Sequence, residues 1–86
     1  MAGVYMKYFV YVLTNVKGEL YIGQTKNLDD RIARHNTNRS KSTKGKGPYK
    51  LIYREEFKSR SGAMRREKEL KSGQGRLWIK KNYIGA

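Results

Sequence analysis

The chain has no cysteine and only one histidine among its 86 residues. Without cysteine it can form neither a disulfide scaffold nor a thiolate zinc site, and a single imidazole excludes a polyhistidine metal site within one chain. Any bound metal would therefore be a hard ion held by carboxylate and water.

Acidic residues are scarce too: seven Asp and Glu stand against twenty Lys and Arg, which gives a formal net charge of +13. Such a surplus repels itself in a compact fold, and a polyanionic partner would relieve the repulsion. Nucleic acid is the first candidate and an anionic membrane surface the second; charge that only confers solubility is the third interpretation. The membrane is disfavoured because no predicted helix sets a long apolar face against a basic one.

Long hydrophobic runs are absent. The apolar stretch within residues 1–13 is too short to span a bilayer, and it lacks the early basic region and the small-residue cleavage site of a secretory signal. We therefore expect a cytoplasmic protein. A chain of 86 residues has room for one modest core, so we expect a single domain over residues 1–86.

Three segments are predicted to be β-strands. Residues 8–13, YFVYVL, form a β-branched and aromatic run typical of a strand buried on both faces. Residues 19–23, ELYIG, follow after a turn and complete a hairpin, and residues 49–57 resume a period-two pattern.

The hairpin turn fixes which strand residues meet. If Gly18 takes the left-handed position of a three-residue loop, Tyr11 faces Gly23 and Leu13 faces Tyr21. Tyr11 and Tyr21 then point to the same side of the sheet as diagonal neighbours. A slip of one residue would separate them.

A first helix is predicted from the N-cap Asn27 to about Asn36, with acidic residues in its first turn. At 100° per residue, Arg31 and His35 lie on the border of its apolar face rather than on its solvent side.

A second helix is predicted over residues 59–72, with Ser59 or Ser61 as its cap. Glu67 falls on its apolar face, where a carboxylate is unfavourable unless it is paired or binds a cation. The apolar residues of that face are Ala63, Leu70 and, beside them, Met64.

Two further segments complete the chain. Residues 37–48 form a basic loop without apolar or acidic side chains, and the sequence leaves open whether it contacts phosphate or is a solvated linker. After a break at Gly73 and Gly75, residues 76–84 predict a short helix or turn. Its closing apolar patch is Leu77, Trp78 and Ile79.

Each candidate residue has an ordinary explanation when it is taken alone. Strand tyrosines are mostly core aromatics, border arginines mostly form ion pairs, and a lone histidine is mostly a surface residue. Glu67 would be explained by an ion pair with Arg31, Arg65 or Lys71.

Taken together, the same residues are the parts of a phosphodiester hydrolase, which needs an activated water, charge neutralisation at phosphorus and help for the leaving oxygen. Arg31 can donate paired hydrogen bonds to a phosphate, and Glu67 can hold Mg²⁺ or Mn²⁺ on the leaving side. A phenol such as that of Tyr21, with a reference pKa of about 10, acts as a base only where cations lower that pKa. His35 could accept or relay the proton.

This pattern resembles the GIY-YIG nuclease family, specifically its small stand-alone bacterial members and the N-terminal domain of the excision-repair incision subunit. The likeness covers residues 8–72, and valine replaces the family's glycine in the first half-motif. The matching positions are Val10-Tyr11-Val12, Tyr21-Ile22-Gly23, Asn27-Leu28, Arg31, His35, Ala63, Glu67, Leu70 and Lys71.

The resemblance implies an α/β (α+β) fold, with a three-stranded antiparallel sheet flanked by about three helices, and a divalent-metal-dependent DNA endonuclease. It makes Tyr21 the base that activates water, with Tyr11 and His35 orienting it. Arg31 would serve the phosphate, and Glu67 would be the one protein ligand of a single Mg²⁺ or Mn²⁺ ion.

We therefore expect a monomer that cleaves DNA in the repair or processing of branched or nicked substrates, with weak sequence specificity because so short a chain has no room for a further DNA-binding domain. The alternative is a catalytically silent module that binds DNA or structured RNA, although such a binder has no use for Glu67 on an apolar face. Asn82 loosely matches an asparagine that recurs in some family members. The candidate nucleic-acid contacts are Lys26, Arg34, Arg39, Lys41, Lys44, Lys46 and Lys71.

Overall fold

A computed structural model describes residues 7–37 and 47–84. Its three strands form the predicted antiparallel sheet, in the order β2-β1-β3. The strands are β1 (Tyr8–Thr14), β2 (Leu20–Thr25) and β3 (Lys50–Phe57). The helices are α1 (Leu28–Asn36), α2 (Arg60–Lys71) and α3 (Gly73–Ile79), followed by a π-helical turn over Lys80–Ile84.

The β1–β2 turn sets the predicted register. Gly18 has a φ of 79°, the left-handed conformation that glycine adopts without steric penalty. The side chain of Asn15 accepts hydrogen bonds from the backbone N–H of Lys17 at 3.1 Å and of Glu19 at 2.9 Å. As a result, Tyr11 pairs with Gly23, and Leu13 pairs with the residue two positions earlier, Tyr21.

The sheet is covered on both faces because β1 is its central strand and alternates its side chains between two cores. Val10 and Val12 face α2 and α3, where they pack with Ala63, Leu70 and Ile79. We call this the α2 face.

The opposite face carries the aromatic side chains. Tyr11 and Leu13 pack there with Leu28 of α1 and with Tyr49, and Tyr21 and Ile32 border the same cluster. We call this the α1 face. The tyrosine pair therefore shares a face with the helix that carries Arg31 and His35, while α2, which carries Glu67, covers the other face.

The α2–α3 junction differs from the prediction. The chain breaks at Ser72, which caps α3 by accepting a hydrogen bond from the N–H of Gly75 at 3.1 Å, and both glycines lie inside the helix. Gly75 is required for close packing rather than for a break, because a Cβ there would collide with the backbone of Glu69 and Leu70.

The expected apolar patches are also smaller than predicted. Of the C-terminal trio only Ile79 is buried, while Leu77 is 69% exposed and Trp78 is 38% exposed. Trp78 packs against Tyr53 and Tyr83 instead of entering the core. On α2, Ala63 and Leu70 are buried as expected, but Met64 is 51% exposed. In the two described ranges, no helix is both long and apolar enough to cross a membrane.

Candidate active site

Tyr11 and His35 form the centre of the α1 face. Both are buried, with exposed fractions of 0% and 1%. The Tyr11 hydroxyl lies 3.1 Å from Nε2 of His35, within hydrogen-bond distance. The Asn27 side chain caps α1 by accepting from the N–H of Asp30, and the last turn of the helix then holds His35 over β1.

Tyr21 adds a third ring to this centre. Its ring centroid lies 4.3 Å from that of His35 and 6.1 Å from that of Tyr11. Gly23 makes the arrangement possible, because a Cβ at this position would lie 2.6 Å from the Tyr11 hydroxyl and 3.1 Å from Cε1 of Tyr21. The motif glycine is therefore a space requirement of the site, signalled in the sequence only by a glycine inside a strand.

Arg31 joins the cluster one helical turn before His35. It is half-buried, and its charge acts on both Tyr11 and His35. Its Nε atom is buried and has no hydrogen-bond partner among the described residues. A buried guanidinium donor without a partner is unfavourable, so this atom indicates a position where an oxygen of a ligand can bind.

The surroundings keep both central groups uncharged. Burial raises the pKa of Tyr11 well above its ordinary value, and the neighbouring Tyr21 raises it further against the opposing charge of Arg31. Burial lowers the pKa of His35, and the charges of Arg31 and Arg34 lower it further. At neutral pH the pair is a protonated phenol bonded to a neutral imidazole.

Asn36 fixes the end of α1 to the start of β3. Its Nδ2 donates to the backbone oxygen of Tyr49 at 3.0 Å, and the N–H of Tyr49 donates back to its Oδ1 at 2.6 Å. The Tyr49 ring lies 6.5 Å from that of His35, so this clamp holds the wall behind the cluster. Sequence reasoning missed Asn36, since an asparagine near a helix end usually serves as a cap.

Glu67 does not belong to the buried cluster on the α1 face. Its side chain is 19% exposed, and its Oε2 pairs with Nζ of Lys71 at 2.6 Å, one of the ion pairs that the sequence suggested. Helix α2 packs against β2, an edge strand of the sheet. Glu67 is therefore carried by a helix that reaches the same edge strand as Tyr21, from the opposite face of the sheet.

The Glu67 carboxylate is an oxygen donor of the kind that Mg²⁺ and Mn²⁺ accept. Within the described ranges, no group of three or more Asp, Glu, His or Cys side chains could form an all-protein metal site. The donor set fits an ion held by one carboxylate, water and substrate phosphate, which is the usual manner of Mg²⁺ binding.

The remaining predicted contacts have separate positions. Lys26 and Arg34 are exposed, and Lys71 is engaged with Glu67. Asn82 lies in the C-terminal turn, where its Nδ2 donates to the backbone oxygen of Trp78 at 2.8 Å. The other four lie outside the described residues: Arg39, Lys41, Lys44 and Lys46.

The chain is thus a small α+β domain with a tyrosine–arginine–histidine cluster on one face of its sheet, the arrangement that the sequence led us to expect of a GIY-YIG nuclease domain. The family description "GIY-YIG catalytic domain" matches residues 7–84, and the chain belongs to this family. The membership predicted from the motif spacing is thereby confirmed.

Similar proteins come from bacteria and archaea. The chain is 45% identical over 67 residues to a UPF0213 protein of Staphylococcus haemolyticus, covering 77% of this chain and 82% of that one. It is 42% identical over 66 residues to a UPF0213 protein of Natronomonas pharaonis, covering 76% and 78%.

A solved structure agrees with the fold. The solution NMR structure of the UPF0213 protein BH0048 from Bacillus halodurans is 35% identical in sequence, with a TM-score of 0.55. The match covers 86% of this chain and 82% of that one.

Proposed function

We propose that the chain is a divalent-metal-dependent endonuclease that hydrolyses phosphodiester bonds in DNA. We further propose that it acts as a cytoplasmic monomer on branched or nicked DNA, in repair or processing, with little sequence specificity. The observation that carries the proposal is the cluster of Tyr11, Tyr21 and His35 beside Arg31, whose buried Nε atom lacks a partner among the described residues.

Within the cluster, Tyr21 is the best placed group to activate water. Tyr11 is fully buried and its raised pKa keeps it protonated, so it cannot serve as the base. His35 is also buried, and its Nε2 is engaged with the Tyr11 hydroxyl. Tyr21 is only half-buried, and its ring centroid lies 4.3 Å from that of the His35 imidazole at a tilt of 54°, so the imidazole can orient it. To act as the base, Tyr21 first releases its phenolic proton to solvent, and the phenolate then takes a proton from the attacking water.

Arg31 is the phosphate-binding group of the proposed site. A guanidinium donates parallel hydrogen bonds to two phosphate oxygens, and such charge-assisted bonds strengthen as negative charge builds up in the transition state. A bound phosphate oxygen would give the buried Nε atom the partner that it lacks among the described residues.

Glu67 would hold the metal ion. A bound Mg²⁺ or Mn²⁺ supplies charge stabilisation for the leaving oxygen. The ion would have to displace Lys71, whose Nζ lies 2.6 Å from the same carboxylate. Once displaced, Lys71 would be free to contact a neighbouring phosphate.

The test is nicking of supercoiled plasmid and of branched DNA, with and without Mn²⁺ or Mg²⁺. Arg31→Ala should lower the rate by about 10²-fold or more, as the loss of one transition-state donor does elsewhere, and Glu67→Ala should abolish metal-dependent cleavage. Glu69→Ala is the matched control, since Glu69 lies on the same helix and pairs with Arg66 instead. Undiminished cutting by pure Glu67→Ala protein would contradict the mechanism.

A catalytically silent nucleic-acid-binding module is the second candidate. The Lys71 pair favours it, because a carboxylate that is already neutralised has less need of a cation. This function predicts binding of DNA or structured RNA that weakens steeply with salt, and no nicking with either metal.

A further inference from the structure

A second feature lies at the end of the sheet, where β1 begins and β2 ends. A groove of about 510 Å³ opens there, and its walls come from the two strands, from α1 and from the start of α2. We call it the sheet-end groove, and its lining includes Tyr8, Lys26, Asp30, Arg31 and Arg60.

The charge of the groove is strongly unbalanced. Lys26 follows β2, Arg31 lies on α1 and Arg60 is the first residue of α2, so three separate elements bring a cation to one place. None of the three takes part in an ion pair within residues 7–37 and 47–84. Asp30 is the only acidic side chain in the lining. Cations that outnumber the acidic side chains of a concave surface attract an anion.

Arg31 connects this groove to the candidate active site. The same side chain lines the groove and acts on Tyr11 in the buried cluster, and its Nε atom is buried without a partner among the described residues. Lys26 rests above the ring of Tyr8, with its ammonium 5.6 Å from the ring centroid. Such an exposed cation–π contact is weak and leaves the ammonium hydrogens available to phosphate.

The path of the groove suggests an extended ligand. Arg31 belongs to the helix on the α1 face, while Arg60 begins the helix on the α2 face, so the groove passes around the end of the sheet from one face to the other. Glu67 lies seven residues further along α2, about 10 Å at 1.5 Å per residue. A chain of phosphates can follow cations arranged in this way from one face of the sheet to the other.

We propose that the sheet-end groove binds the sugar–phosphate backbone of the strand next to the cleaved bond, with Arg60 and Lys26 neutralising phosphates that flank the one held by Arg31. The identity of the polymer rests on the proposed function, and the position of the backbone rests on the groove. Arg60 is thereby assigned as a phosphate-binding residue, and Asp30 as a residue that limits affinity.

The test measures binding alone, without divalent metal. A fluorescein-labelled DNA duplex and its single strand are titrated with each variant over a series of NaCl concentrations, with fluorescence anisotropy as the readout. Arg60→Gln and Lys26→Gln should each reduce the slope of log K against log salt by about 0.9 on duplex and about 0.7 on single strand, the value for one lost phosphate contact. Asp30→Asn should tighten binding.

Arg65→Gln is the matched control, because Arg65 is exposed on α2 like Arg60 but lies outside the groove. The substitution therefore removes the same charge without changing the groove. For this variant, the slope of log K against log salt should equal that of the unmodified chain. If Arg60→Gln and Lys26→Gln give the same slope as Arg65→Gln, while all variants keep the same thermal midpoint, the groove is not a backbone site. Displacement of the DNA by inorganic phosphate at matched ionic strength would also overturn the proposal, since it would show a site for an isolated anion.

The outcomes separate this inference from the proposed function. Cleavage by the unmodified chain combined with unchanged slopes in Arg60→Gln and Lys26→Gln overturns the groove alone. Reduced slopes in a chain that never nicks DNA support the groove and overturn the endonuclease.

Discussion

His35 is the residue whose burial has the clearest consequence for the chain. It is the only histidine of the sequence, it is 1% exposed, and it shares a hydrogen bond with Tyr11. Because burial and the nearby arginines lower its pKa, the folded state holds it neutral while the unfolded chain protonates it near pH 6.5. The fold therefore depends on this group remaining uncharged.

We predict that stability falls as the pH drops below about 6.5. Because the pKa of His35 is lower in the folded state, the unfolded chain binds more protons as the pH falls. The stabilisation that comes from keeping His35 neutral is complete above the unfolded pKa, and it is lost as the pH falls toward the folded pKa. For one proton, the free energy of unfolding cannot change by more than about 1.4 kcal/mol per pH unit. Urea unfolding between about pH 7.5 and pH 5.5 measures it.

The control for this pH dependence is His35→Gln, which keeps a polar side chain near Tyr11 but cannot be protonated in this range. Its free energy of unfolding should change little between the same two pH values, since no other side-chain type has its ordinary pKa there. A variant with the same slope as the unmodified chain would show that another group is responsible.

Part of the site could be predicted at the residue scale. The turn at Gly18 set the register that brings Tyr11 and Tyr21 together, and helical spacing placed Arg31 and His35 on the border of their helix. The role of Gly23 could not be predicted, because it depends on the rotamer of an aromatic ring across the sheet. The position of Glu67 relative to this cluster also depends on tertiary packing rather than on helical periodicity.

The junction between α2 and α3 is the element-scale feature that sequence patterns misjudged. Glycines usually mark breaks, but here a serine cap separates the helices, and Gly75 allows the first turn of α3 to lie on the backbone of α2. Gly73 differs, because a Cβ there would meet nothing within 4 Å. Glycine is therefore required at position 75 but not at position 73, a difference that a helix-propensity scale cannot detect.

We predict opposite effects of the same substitution at these two positions. Gly75→Ala forces a methyl group against the backbone of Glu69 and Leu70 and should lower the free energy of unfolding by about 1–3 kcal/mol, the typical cost of overpacking. Gly73→Ala should leave stability unchanged or raise it by up to about 1 kcal/mol through helix propensity. Urea denaturation of both variants measures the difference. Equal destabilisation by the two would contradict the packing argument.

At the scale of the whole molecule, the net charge of +13 dominates. The described part of the chain contains four ion pairs, three of which join side chains that are both more than a quarter exposed, so they offset little of the surplus. Most cations are left to repel one another across a small surface. The composition predicted this property without any knowledge of the fold, because charge counts do not depend on topology.

We predict that the thermal midpoint rises when NaCl is increased from about 0.05 M to about 0.5 M, since screening shortens the range of repulsion. A variant with Lys17, Arg65 and Lys68 replaced by glutamine should start from a higher midpoint and respond less to salt. All three side chains are exposed and lie outside the sheet-end groove. A midpoint that is flat or falls over this range in the unmodified chain would contradict the prediction.

The aromatic packing of the C-terminal region has an optical consequence. Trp78 is the only tryptophan of the chain, and it sits 5.5 Å from the rings of both Tyr53 and Tyr83, with the Arg66 guanidinium 5.6 Å above it. Selective excitation of the indole therefore reports on the packing of α3 against β3 and the C-terminal turn. A change in its emission would follow the undocking of α3 without any added label.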